Sequence, residues 1–153
     1  MKILMVCLGN ICRSPMAEGI LKDKLSEHNI NAQVDSAATS DYHIGQNPDD
    51  RAMANCKKHG IDISQLQGRQ FTVDDFDAFD RIFVMDSSNY ENVIALARDE
   101  EDSKKVQMIL NLSQPNTNMS VPDPYFGADD GFENVYQLLD AACNILVEEL
   151  KDE

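Results

Sequence analysis

Eight consecutive residues, Cys7-Leu8-Gly9-Asn10-Ile11-Cys12-Arg13-Ser14, hold the types and spacing best suited to chemistry. They follow a short apolar run and precede a stretch with helical periodicity, which places them at a strand-to-helix joint. A loop there turns its backbone N–H groups and the positive end of the helix dipole toward one point, where an anion would be held. Gly9 and Asn10 best tolerate positive φ, so both are expected to let the loop curl into a nest of donors. Arg13 adds a planar, permanently charged fork that matches two phosphate oxygens. Cys7 stands at the mouth of this cradle, where the dipole, the N–H groups and Arg13 favour its thiolate, and Ser14 can donate to the sulfur. A thiolate facing a bound oxyanion is a nucleophile with its electrophile already placed.

The elements that position these residues follow from the alternation of apolar runs and amphipathic stretches, the pattern of an α/β domain. Lys2 to Cys7 reads as a strand covered on both faces. Ser14 as N-cap and Pro15 in the first turn open a helix over residues 15–28. A second strand is expected over 33–37, and a second helix over 49–59 ending at Gly60. Arg81 to Met85 is a third strand, followed by a helix capped by Asp86 or Ser87, and Val106 to Leu110 a fourth strand. Phe132, Val135, Tyr136, Leu139, Ala142, Cys143, Leu146, Val147 and Leu150 keep the step of a closing helix. Before it, Asn111 to Asp130 holds three prolines and one glycine around Pro-Asp-Pro-Tyr-Phe-Gly; a loop that long in a small domain is expected to be functional. The acidic run Asp99 to Asp102 reads as a solvated helix end.

Composition narrows the function. The 153 residues suit one domain spanning 1–153, and 13 Lys+Arg against 27 Asp+Glu give a net charge of −14. That balance argues against nucleic acid or an anionic membrane as a partner, so an anionic ligand must be held by a local site. No apolar run is long enough for a membrane span, and Ile3 to Leu8 lacks a cleavage pattern, so a cytoplasmic protein is expected. Four cysteines then read as reduced thiols, with Cys56 and Cys143 as core residues. Cys7, Cys12, His28, His43 and His59 lack the spacing of a zinc site, and Gly-Asn-Ile-Cys-Arg-Ser is neither a nucleotide-triphosphate loop nor a dinucleotide fingerprint. Neither a metal nor a nucleotide cofactor is implied.

Val-Cys-Leu-Gly-Asn-Ile-Cys-Arg-Ser-Pro-Met-Ala-Glu, the segment from Asp35 to Ala52, His59-Gly60-Ile61, Phe79 to Asn89 and Val121 to Gly127 together resemble the low-molecular-weight protein tyrosine phosphatases, in the right order over essentially the whole chain. The resemblance implies a four-stranded parallel sheet of order 2-1-3-4 flanked by helices on both faces. It implies Cys7 as nucleophile, Arg13 as phosphate clamp, Ser14 as stabiliser of the thiolate and Asp123 as general acid and base. It also implies a left-handed Asn10 held by a network through Ser36 and His59, and a Cys12 able to form a reversible, protective disulfide with Cys7. Tyr42 and Tyr125 match the aromatic walls of a slot for an aryl phosphate, so phosphotyrosine proteins are the expected substrates and a monomer the expected state.

Departures from the family pattern limit the transfer. Phe126 stands where many eukaryotic members have a second tyrosine, and Tyr42 lies at a position that varies. Ile11 matches the tyrosine-directed members, whereas related arginine phosphatases have threonine there. Two alternatives remain. An arsenate reductase of the same fold would need resolving cysteines beyond the loop, and residues 80–100 contain none. A phosphotyrosine-binding module without turnover would keep the pocket alone.

Overall fold

The computed structural model describes residues 1–127 and 130–152, so the last part of the loop read over 111–130, residues 128 and 129, lies outside the described residues. Along β1 (Lys2–Cys7) successive side chains point to opposite faces. Ile3, Met5 and Cys7 enter one apolar core, and Leu4 and Val6 enter another. A strand with a core on each side needs apolar residues at every position, which explains its continuous hydrophobic run.

The chain continues through α1 (Arg13–Glu27), β2 (Gln33–Ala38), α2 (Asp50–Lys58), α3 (Asp74–Ala78), β3 (Arg81–Val84), α4 (Ser87–Ile94), α5 (Glu100–Lys104), β4 (Val106–Met108) and α6 (Asp130–Lys151). Among the described residues the strands form one four-stranded parallel sheet of order β2-β1-β3-β4. Helices α1, α2 and α6 enclose the larger core; α3 and α4 cover the opposite face, with Phe71, Phe76, Ile82, Val84 and Val93 between them. Helix α1 lies against α6 on one side and β1 and β2 on the other. Every residue from Arg13 to Leu21 is therefore buried.

Several boundaries differ from the sequence reading. Helix α1 begins at Arg13 with Cys12 as its N-cap. Ser14 is not the cap, because its hydroxyl is turned instead toward Cys7 and Asn10. The fourth strand stops at Met108, and Ile109–Asn111 form a 3-10 turn. The acidic run is the start of α5, where Asp99 caps the helix. Within it Asp102 is buried beneath Arg98, which donates to both of its oxygens, so this residue is not part of a solvated end. Gly60 ends α2 at φ 79° as expected, a conformation that costs a residue with a Cβ 1–2 kcal/mol by order of magnitude.

The topology fixes where a ligand can bind. The chain leaves β1 toward β2 on one side and leaves β3 toward β4 on the other, so the connections diverge at the carboxyl ends of β1 and β3. In open parallel sheets that divergence opens a crevice outside the strand ends. Cys7 is the last residue of β1, and Asp86 follows the end of β3.

Candidate active site

Residues 8–12 form a loop over the carboxyl end of β1, with Asn10 at φ 57°. Only one of the two expected positive-φ residues adopts that conformation. Gly9 has another role, since a Cβ there would lie 3.0 Å from His43 Cδ2, and the missing side chain lets the His43 ring approach the loop. The left-handed Asn10 is anchored at three points. Its Nδ2 donates to Ser14 Oγ at 2.7 Å and Ser36 Oγ at 2.9 Å, and its Oδ1 accepts the backbone N–H of Arg69 at 3.2 Å. Ser36 in turn donates to Glu18 Oε1 at 2.6 Å, while Lys22 pairs with the other oxygen of that buried carboxylate.

His59 takes no part in this network. As the C-cap of α2 its ring faces α6, with Nε2 2.8 Å from Glu133 Oε1 and the ring stacked on Tyr136 at 3.7 Å between centroids. Hydrogen bonds from His59, then Gln137 and Asn55, hold the Glu133 carboxyl well below its ordinary range. Glu18 supplies the support of Ser36 that the resemblance assigned to His59.

The Cys7 sulfur is met from two directions. Ser14 Oγ lies 3.0 Å away, and the Asn10 backbone N–H donates to Sγ at 3.3 Å. Asn10 already donates to Ser14 Oγ, which leaves the Ser14 hydroxyl proton free to point at the sulfur. Arg13, with its side chain only 3% exposed, donates through Nη1 to Asp86 Oδ2 at 2.7 Å and to the Val121 carbonyl at 3.0 Å. Its Nη2 faces Asp123 Oδ2 at 3.6 Å. Burial works against the charge, but Cys7, Asp86 and Asp123 together hold the Arg13 guanidinium above its ordinary range, so it stays ionised.

These groups converge on a cavity of about 150 Å³ lined by Cys7, Arg13, Asp123 and the loop residues Leu8, Gly9, Ile11 and Cys12. Tyr42 and Tyr125 stand in its wall as expected, together with His43 and Phe126, the latter 91% exposed. The base is polar and anion-directed, and the walls are aromatic. That combination suits a flat ring carrying a tetrahedral anion at its end. Among the described residues no group of three or more His, Cys, Asp or Glu side chains is placed to hold a metal ion. No described helix is long and apolar enough to cross a membrane.

Sequence reasoning placed Cys7, Arg13, Ser14 and Asp123 together; the structure brings Cys7, Arg13 and Asp123 to one cavity, with Ser14 buried against the Cys7 sulfur. It missed Asp86, Glu18, His43 and Arg69. Asp86 was legible as a helix cap: one oxygen accepts the Asn89 N–H at 2.7 Å, while the other takes Arg13. Glu18 carries a signal of its own, as the one carboxylate between Ala17 and the apolar segment Gly19-Ile20-Leu21 of a buried helix.

A strand-end loop, a buried arginine and a cysteine at a topological switch point define an α/β protein with a site suited to an oxyanion. Comparison with known proteins gives the family. The low molecular weight phosphotyrosine protein phosphatase family model matches residues 2–153. The human enzyme of that name is 41% identical over 95% of this chain and 93% of its own. The crystal structure of the protein tyrosine phosphatase from Entamoeba histolytica with Hepes in the active site superposes with a TM-score of 0.93 at 36% identity, covering 99% of this chain and 97% of that one. A Drosophila arginine phosphatase superposes with a TM-score of 0.91 at 33% identity, covering 99% and 98%. The chain belongs to the low-molecular-weight phosphotyrosine protein phosphatase family.

The four thiols differ in what surrounds them. Burial, then the nearby Asp49, raises Cys12 far above the ordinary thiol range, and burial pushes Cys56 and Cys143 up to about 12. Those three are held as thiols at neutral pH. Iodoacetate, an anion, is therefore expected to carboxymethylate Cys7 first, with inorganic phosphate slowing the reaction, as followed by peptide mass mapping. Equal labelling of Cys56 or Cys143 in the folded protein would contradict this reading.

Proposed function

We propose that the chain, acting as a single catalytic domain over residues 1–153, hydrolyses phosphotyrosine in proteins through a phosphocysteine intermediate. The Cys7 thiolate attacks phosphorus in line, and the bond to the aryl oxygen breaks. Asp123, protonated, gives its proton to that oxygen so that a neutral phenol leaves. Water then attacks the phosphocysteine, the Asp123 carboxylate accepts its proton, and the S–P bond breaks to regenerate the thiolate and release phosphate. Arg13 and the loop N–H groups hold the equatorial oxygens through both steps, a case of charge stabilisation by donors already in place.

The observation that carries this reading is the convergence of Cys7, Arg13 and Asp123 on one cavity with aromatic walls. Ile11 and the aromatic residues of the wall support an aryl phosphate over a phosphoarginine. A tyrosine leaving group needs an acid, since its phenol ionises only near pH ~10 and a positioned acid contributes about 10²–10⁴-fold. The test is release of phosphate from phenyl phosphate and phosphotyrosine peptides by the reduced protein in the presence of a chelator. Native turnover with a loss of about 10²-fold or more in Asp123→Ala is the expected result. An inactive reduced protein that still binds phosphopeptide would replace this reading with that of a binding module, and thioredoxin-dependent arsenate reduction would replace it with a reductase.

A further inference from the structure

The loop that carries Asp123 is held firmly at its start and sparsely beyond. Val121 donates to the Met85 carbonyl at 2.7 Å and is buried, but Asp123, Tyr125, Phe126 and Gly127 are exposed. Within the loop, the Tyr125 N–H donates to Asp123 Oδ1 at 3.1 Å, so the orientation of the carboxyl depends on where the backbone of Tyr125 sits.

Arg51, in the first turn of α2, reaches the other side of the same residue, its carbonyl in the following peptide. Its Nη2 donates to the Tyr125 carbonyl at 2.9 Å and its Nη1 to the Gly127 carbonyl at 3.4 Å. The guanidinium lies 4.8 Å from the centre of the Phe132 ring and 5.7 Å from that of Tyr125. Asp49 aims it by a two-point contact, Nε to Oδ1 and Nη2 to Oδ2, both 3.1 Å. Asp49 is in turn fixed to the phosphate loop, since its backbone N–H donates to the Ile11 carbonyl at 2.8 Å. A series of contacts thus runs from the phosphate loop through Asp49 and Arg51 to Tyr125, the residue whose N–H meets the Asp123 carboxyl.

We infer that Arg51 is a positioning residue for proton transfer, acting through the backbone of Tyr125 to set the Asp123 carboxyl against the leaving oxygen. The inference rests on the acid role proposed for Asp123. A planar fork is needed at this position because it must take both Asp49 oxygens and a loop carbonyl in fixed directions, which a lysine ammonium cannot do.

A purely structural arginine would lower activity alike on every substrate, whereas a positioning residue for the acid is felt only where the leaving group needs a proton. The experiment compares kcat/KM on phenyl phosphate and on dinitrophenyl phosphate, whose phenolate leaves unaided, for the native protein, Arg51→Ala, Arg51→Lys, Asp123→Ala and the double variant Arg51→Ala/Asp123→Ala. We expect Arg51→Ala to lose about tenfold more on phenyl phosphate than on dinitrophenyl phosphate, a part of the general-acid effect, with Arg51→Lys between it and the native protein. In the double variant the loss on phenyl phosphate is expected to match that of Asp123→Ala alone, because neighbours acting through one step do not add. Thermal melting identifies any variant that fails to fold, in which case Arg51→Lys decides. Equal losses on both substrates, or losses that multiply with Asp123→Ala, overturn the role of Arg51 while the acid assignment stands. Native leaving-group dependence in Asp123→Ala overturns the acid assignment and the inference with it.

Discussion

Cys7→Ser is expected to abolish turnover, with a loss on the order of 10⁵-fold or more in kcat, as when the nucleophile of a covalent mechanism is removed. The two atoms change places almost isosterically, so shape does not decide the outcome. The neighbours of the sulfur do. Ser14 Oγ at 3.0 Å and the Asn10 N–H at 3.3 Å are placed to stabilise a negative charge on the sulfur. Neither can remove a proton. A thiol ionises within reach of neutral pH and needs only such stabilisation, whereas a hydroxyl needs a hydrogen-bonded base to become nucleophilic. Arg13 and the loop donors remain in the serine variant, so inorganic phosphate should still bind it. The checks are phosphate release over long incubation and competition by phosphate in a phosphopeptide-binding assay. Turnover within tenfold of native would rule out Cys7 as the nucleophile.

How much of this could be read from the sequence depends on the range over which each signal acts. The sheet was legible because its two central strands are apolar on both faces and helical spacing separates them, which makes Ile3 to Val6 and Ile82 to Val84 stand out. Helix α3 was not: it has five residues, three of them aspartate, and its hold on the core comes through Phe76, too little for any period to show. The same contrast runs through the site. The residues from Cys7 to Ser14 carry their meaning in contiguous spacing, and Asp123 is marked by the prolines around it.

The groups that set their orientation come from elsewhere in the chain. Asp86 is 73 positions from Arg13, and Arg69 is 59 from Asn10. Such pairings leave no local pattern, because the first arises only when β3 lies beside β1 and the second only when the segment at Arg69 lies beside the end of β2. His59 shows the opposite error. Its place in a short motif suggested a loop-supporting role, but the end of α2 turns its ring toward Glu133 and Tyr136 of α6. A sequence match fixes the neighbours along the chain and not the direction of a side chain.

Arg13→Lys separates charge from geometry at the base of the slot. Arg13→Ala is a poor test, because it strips the cation from Asp86 and leaves that carboxylate without its ion-pair partner. Lysine keeps a positive charge there and can stay with Asp86. It cannot also present a second, coplanar N–H toward the cavity, where Nη2 now faces Asp123 at 3.6 Å. If the fork holds equatorial phosphoryl oxygens, the loss of one well-placed donor is expected to cost about 10²–10³-fold in kcat. Binding of inorganic phosphate should weaken as well, since its oxygens would occupy the same place. The melting temperature should fall little, because the charge beside Asp86 is retained. A variant within about threefold of native on phenyl phosphate would make Arg13 a simple counter-charge. A large drop in stability with a matching loss of activity would make it a strut between the phosphate loop, Asp86 and Val121. Only a large kinetic loss in a protein that stays folded assigns the second arm of the guanidinium to the phosphoryl group.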